Sequence, residues 1–367
     1  MRKFNIVEIE NSYLNFFTPA MIIAAGIFLL YLFNWPLSFL QWMIYESNAN
    51  INLDIMSAII ANITGIAICF ITYFIFIPRL KVQDAKYNKI NSISIITVFI
   101  VFLIIIFFRL IMTNLFESLD ITIYLVPPWF MDSYNLLFNP MIWILFLSYQ
   151  FFILPIYTEL LYRRTIIPLL EDRGLSPFLA VILSSLGFCL LFLPQYFQPT
   201  NYLGTLYWFI STFLFGLGTG LIYILTRNIL LSILYTIIYY VFRLSGEIGT
   251  FFQDNFLLMI HSLLSIIILI SGFILVIYVV WNLYQTKSTV TWVHIIRTPS
   301  APKITRGLIG YFAISLVLVS IHFIISNFIL KFLSSDMLLM FAANSFFYLI
   351  AFSIPFWLTI TSEYAQY

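Results

Sequence analysis

The segment 155-PIYTELLYRRTIIPLL-170 places one carboxylate, Glu159, and two guanidiniums, Arg163 and Arg164, in otherwise oily surroundings. Glu159 and Arg163 are four residues apart, so on a helix they share a face and can pair. The chemistry open to such a pair is limited. It can neutralise itself and pack as a unit, or it can grip one polar group of a ligand. Charges within a membrane are costly and mark functional sites by default. Arg164 points from a neighbouring face and is expected to reach toward lipid headgroups.

The elements that position these groups follow from composition. The chain has 367 residues, of which 62% are hydrophobic and 9% charged. Soluble domains are roughly 45–50% apolar and about 25% charged. Runs such as 92-SISIITVFIVFLIIIFFRLIMTNL-115 exceed the ~20 apolar residues that cross a bilayer as a helix. The pattern predicts an all-α, polytopic membrane bundle of about ten spans, near 16–33, 57–77, 93–115, 140–169, 177–196, 203–225, 228–244, 256–281, 308–330 and 337–360. With the N-terminus in the cytoplasm, inner segments collect fourteen of the seventeen Lys and Arg. Outer segments hold Arg243 and Lys331, and Arg109 falls within a span, where outward snorkelling is the expectation and an ion pair with Glu159 the alternative. Both termini are then cytoplasmic. Glu8 and Glu10 ahead of the first apolar run argue for a retained first span rather than a cleaved signal. No basic run suggests nucleic acid, and Cys69 and Cys189 read as small apolar packing residues. No internal repeat of broken helices is visible.

Beyond Arg164 the order of motifs resembles that of the CPBP family of intramembrane metalloproteases, which includes the CAAX-processing enzymes. The family's EExxxR motif has its counterpart in Thr158-Glu159-Leu160-Leu161-Tyr162-Arg163. Its FxxxH motif is matched in place by 188-FCLLF-192. Its third motif, a histidine followed four residues later by Asn or Asp, falls on Tyr235 and Tyr239, after a helix marked by Gly216, Gly218 and Gly220 and the turn 226-TRNI-229. The resemblance covers roughly residues 145–245. It implies a family core at 146–245 in spans four to seven, between three N-terminal spans (1–145) and three C-terminal spans (246–367).

The resemblance also implies a metal that activates water, and here the residues depart from it. A catalytic zinc wants about three protein ligands and an open water position. Thr158 replaces the first glutamate, Phe192 the motif-two histidine, and Tyr235 and Tyr239 the third motif. Neutral tyrosine is a poor ligand because its phenol must lose a proton of pKa about 10. His261, His294 and His322 do not assemble a substitute site. The expectation is therefore a protein without metal or other cofactor, keeping Glu159 and Arg163 as a remnant. Thr158, Phe192, Tyr235 and Tyr239 would line the former site. Such a pseudoprotease would sit in the bilayer of a prokaryotic cytoplasmic membrane and bind a hydrophobic or lipidated peptide or another membrane protein. Two alternatives stand beside it: an active CAAX-type metalloendopeptidase with divergent ligands and zinc, or a transporter or channel.

Overall fold

A computed structural model describes residues 90–118, 147–172, 175–196, 202–252 and 255–285, with residue 144 and scattered positions between 59 and 74. Apart from short turns and helix ends these residues are helical, and no strand occurs among them. Helix α1 is Ser92–Ser118. Asn91 caps its first turn: its Oδ1 accepts from the Ser94 backbone N–H at 2.7 Å, satisfying one of the free donors of a helix start.

Helix α2 runs from 149 to 172 in four consecutive segments. Tyr149–Ile153 and Leu160–Ile166 are π-helical, and Leu154–Glu159 and Ile167–Asp172 are α-helical. The cause is in the sequence. A proline ring collides with the carbonyl four residues back and offers no N–H. Pro155 and Pro168 place that conflict at Phe151 and Arg164, and each of those lies within a π segment. The wider turn is stabilised locally, since the Thr165 hydroxyl donates five residues back to the Leu160 carbonyl at 2.9 Å.

Helix α3 is Pro177–Tyr196, with proline in the first position, where its missing N–H costs nothing. Helix α4 is Tyr202–Thr226, α5 Ile229–Phe252 and α6 Asn255–Tyr284. The turn between α4 and α5 puts Arg227 at φ 51°. Asn228 then caps α5 by accepting from the Leu230 N–H at 2.9 Å.

Close packing organises the bundle around α4, which lies against α1, α2, α3 and α5. A Cβ at Gly220 would stand 2.6 Å from Val181, and one at Gly216 3.1 Å from Ser185, so α3 and α4 meet through small residues one turn apart. Gly218, on another face, is covered by Tyr235 of α5 and Ile105 of α1. Helix α2 is buried almost all round from Leu154 to Leu170, as expected of a helix inside a bundle. By contrast α6 packs on α1 and α5 and leaves most of its apolar surface exposed.

Among the described residues, four helices are long and apolar enough to cross a membrane: Ser92–Ser118, Leu206–Thr226, Ile229–Gly246 and Asn255–Tyr284. The described part of the chain is therefore the helical bundle of an integral membrane protein. Six of the ten expected spans have helices at their positions, and α5 continues to Phe252, past the expected end at 244. The expected spans at 16–33, 308–330 and 337–360, and most of the one at 57–77, lie outside the described residues.

Candidate functional site

The site is built outward from Glu159 and Arg163, both with fully buried side chains. The expected pair forms, with Arg163 Nε 3.5 Å from Glu159 Oε2. Yet the guanidinium's hydrogen bonds go elsewhere. Arg163 Nε donates to Thr219 Oγ1 at 2.6 Å, and Nη2 donates to the Gly216 carbonyl at 3.0 Å and to Thr219 Oγ1. On α4 the Thr219 hydroxyl also lies 3.0 Å from that carbonyl. Glycine at 216 brings α4 close to α3, and the same turn offers its carbonyl and the Thr219 hydroxyl to α2. Phe188 of α3 completes the enclosure, its ring centroid 5.2 Å from Arg163 Cζ, a cation–π distance.

Glu159 is held from the other side. The Thr236 hydroxyl of α5 donates to Glu159 Oε1 at 3.3 Å. Thr236 lies between Tyr235 and Tyr239, so α5 delivers both tyrosines to the same region. The Tyr235 ring stacks on Phe215 at 6.0 Å and meets Phe102 edge-on at 6.2 Å. Tyr239 packs against Phe215 at 4.5 Å. Arg109 of α1 lies with Cζ 5.2 Å above the Tyr239 ring. Its expected outward reach is not what the fold produces. Arg109 faces the bundle and is 8% exposed, and the carboxylate at the centre is paired with Arg163.

The other sequence candidates fall as follows. Thr158 is buried, and its hydroxyl returns to its own helix, donating to the Leu154 carbonyl at 2.8 Å. Phe192 belongs to α3, but its side chain lies outside the described residues. Arg164 lies with Cζ 5.6 Å from the Tyr73 ring centroid. His261 sits on α6 against Ser245, with Nδ1 and Oγ 3.1 Å apart. His294 and His322 lie outside the described residues. Phe188 is the phenylalanine matched to the FxxxH motif, whereas Thr219, Thr236, Phe215 and the Gly216 carbonyl were not singled out from sequence. The legible signal was two threonines in apolar helices, Thr219 inside the glycine run and Thr236 between the motif tyrosines.

The donor set at this centre does not suit a catalytic zinc. It offers one carboxylate, already beside a guanidinium, and two phenols packed among aromatic rings. Among the described residues no three His, Cys, Asp or Glu side chains come together.

Residues 139–242 match the family model described as type II CAAX prenyl endopeptidase Rce1-like. This agrees with the CPBP/CAAX protease family that the motifs resemble, and the matched segment is under a third of the chain. It spans α2, α3, α4 and most of α5, the helices that supply Glu159, Arg163, Thr219, Thr236, Tyr235 and Tyr239. No curated protein and no solved structure matches the chain.

Proposed function

We propose that this CAAX-protease-like membrane protein is a pseudoprotease. It keeps the helical core of an intramembrane endopeptidase without the hydrolytic centre, and it binds a hydrophobic or lipidated peptide or scaffolds another membrane protein. The observation that carries the reading is the state of the remnant motif. Glu159 is paired with Arg163 and bonded by Thr236, and Tyr235 and Tyr239 pack on Phe215 at the third-motif positions. Hydrolysis by a metal-bound water needs a ligand set that leaves an open coordination position. Tyrosines packed on aromatic rings in a buried cluster offer none.

In this proposal the matched segment is a core flanked by three N-terminal spans (1–145) and three C-terminal spans (246–367). The full bundle has about ten spans, with both termini on the cytoplasmic face of a prokaryotic membrane. The core's role is recognition: the exposed apolar faces of the bundle meet lipid or a lipid-like ligand, while the polar centre fixes how the helices stand.

The deciding experiment is metal content of the purified protein in detergent, wild type beside Glu159→Ala, with a prenylated peptide assayed for cleavage in parallel. The proposal expects no stoichiometric metal and no cleavage in either protein. About one zinc per chain, lost with Glu159 together with cleavage, would establish an active metalloendopeptidase instead.

A further inference from the structure

Helix α2 reaches its two buried charges through different windings. Glu159 closes the α-helical segment Leu154–Glu159, and Arg163 is the fourth residue of the π-helical segment Leu160–Ile166. An α turn holds about 3.6 residues, so a residue four places on stands roughly 40° ahead of the first around the axis. From there a carboxylate and a guanidinium meet directly. A π turn closes one residue later, so each of its residues advances less, and Arg163 is turned back from that position.

The contacts diverge accordingly. Glu159 takes the Thr236 hydroxyl of α5 at 3.3 Å. Arg163 gives Nε and Nη2 to Thr219 and the Gly216 carbonyl of α4, and Nε stays 3.5 Å from Glu159 Oε2. Two features keep the turn wide. The buried Thr165 hydroxyl donates to the Leu160 carbonyl at 2.9 Å, a reach of five residues that matches the π period. Pro168 withholds the N–H that an α turn would give to the Arg164 carbonyl. Past the segment, Glu171 is fixed by two bonds from Arg227. The wide turn thus lies between two anchored carboxylates, and closing it would turn one against the other.

We propose that the π segment Leu160–Ile166 is the device that aims Arg163 at α4, with Thr165 and Pro168 as its positioning residues. They act through the winding of the backbone rather than by contact with the guanidinium. When the segment closes to an α-helix, Arg163 leaves Thr219 and comes onto Glu159. The inference concerns α2 itself and holds whether or not the core cleaves a peptide.

The test is a mutant cycle on the full chain in detergent, read as the midpoint of thermal unfolding. Thr219→Val is introduced into the wild type and into a background carrying Thr165→Val and Pro168→Ala. Valine keeps the shape of threonine without its hydroxyl, and alanine restores the backbone N–H. The expected result is that Thr219→Val lowers the midpoint in the altered background by less than half its effect in the wild type. In a Thr165→Ser background, which keeps the hydroxyl, its effect should be full. Residues that matter only to local stability contribute independently, so equal lowering in the wild type and the altered background would overturn the inference. A Thr165→Ser background that behaves like the altered one would also overturn it, because the hydroxyl would not be what holds the turn. If the doubly changed chain does not fold, Pro168→Ala alone is the background and the same comparison decides. Failure of Pro168→Ala to fold would overturn the inference too, since the segment should close rather than collapse.

Discussion

Among the described residues two carboxylate–guanidinium pairs involve α2, one within the helix and one at its end, and they are built in opposite ways. At the end of α2, Glu171 receives Arg227 through two bonds of 2.6 and 2.7 Å, with the two side chains 18% and 31% exposed. At the centre, Glu159 and Arg163 are wholly enclosed but touch through a single 3.5 Å contact. The outer pair has the better geometry in the more forgiving place. The inner arginine distributes its donors over Thr219 and Gly216, and the inner carboxylate takes a hydroxyl from Thr236. Enclosed charges need every lone pair and proton met, so their partners spread over several helices. A pair open to water can spend itself on one partner and still contribute little. The outer pair nevertheless anchors an uncommon backbone: Arg227 sits in the left-handed region, which costs a residue with a Cβ roughly 1–2 kcal/mol.

The largest expected effect is at the centre. Arg163→Met leaves the Glu159 carboxylate enclosed without its cation and should cost about 3–5 kcal/mol, read as thermal unfolding in detergent. The double change Glu159→Leu with Arg163→Met should recover most of that loss. A double variant as damaged as the single one would mean that the centre is held by something other than charge compensation. Next is Thr219→Val, which keeps the shape but removes Arg163's side-chain acceptor on α4. It should cost about 1.5–3 kcal/mol, the range for hydrogen bonds to charged groups. Smallest is Glu171→Gln at the periphery, about 0.2–1 kcal/mol and weaker at high salt. A Glu171→Gln loss as large as that of Thr219→Val would erase the contrast between the two pairs. Their pH behaviour sharpens it further. Burial lowers the Arg227 pKa, but the Glu171 hydrogen bond and charge outweigh it and leave a net rise. A raised folded pKa gives stabilisation that is complete below the ordinary guanidinium value and is lost as pH climbs through the higher one. Arg227's share should thus be flat across neutral pH and fade only in strong alkali, as unfolding followed against pH would show.

Much of this was legible beforehand. Apolar runs bounded by polar turns located α1 and α3 to α6, because a backbone in lipid must satisfy its own hydrogen bonds and a helix does so within one segment. The four-residue spacing gave the Glu159–Arg163 pair. Arg109 was misjudged because hydropathy gives the depth of a residue but not the face of the helix it occupies. The π segments of α2 were also missed. Their prolines were visible, but whether a helix breaks, kinks or widens depends on the neighbours that hold it. Thr219 and Thr236 gained their roles through contacts to residues 56 and 77 positions away, a separation at which no local pattern carries information.

By itself the sequence determined that this chain is a helical membrane protein, that Glu159 has a cation one turn away, and that the first glutamate and the histidines of the resembled motifs are replaced. These are matters of residue type and short spacing, which the helical period and the cost of exposing polar backbone to lipid make binding. Only the tertiary structure decided that Arg163 is shared among α2, α3 and α4, that Tyr235 and Tyr239 close over the centre from α5, and that Arg109 turns inward onto Tyr239. Those choices rest on how closely particular helix faces approach. Small residues at Gly216, Gly218 and Gly220 permit that approach, and long-range packing sets where it leads.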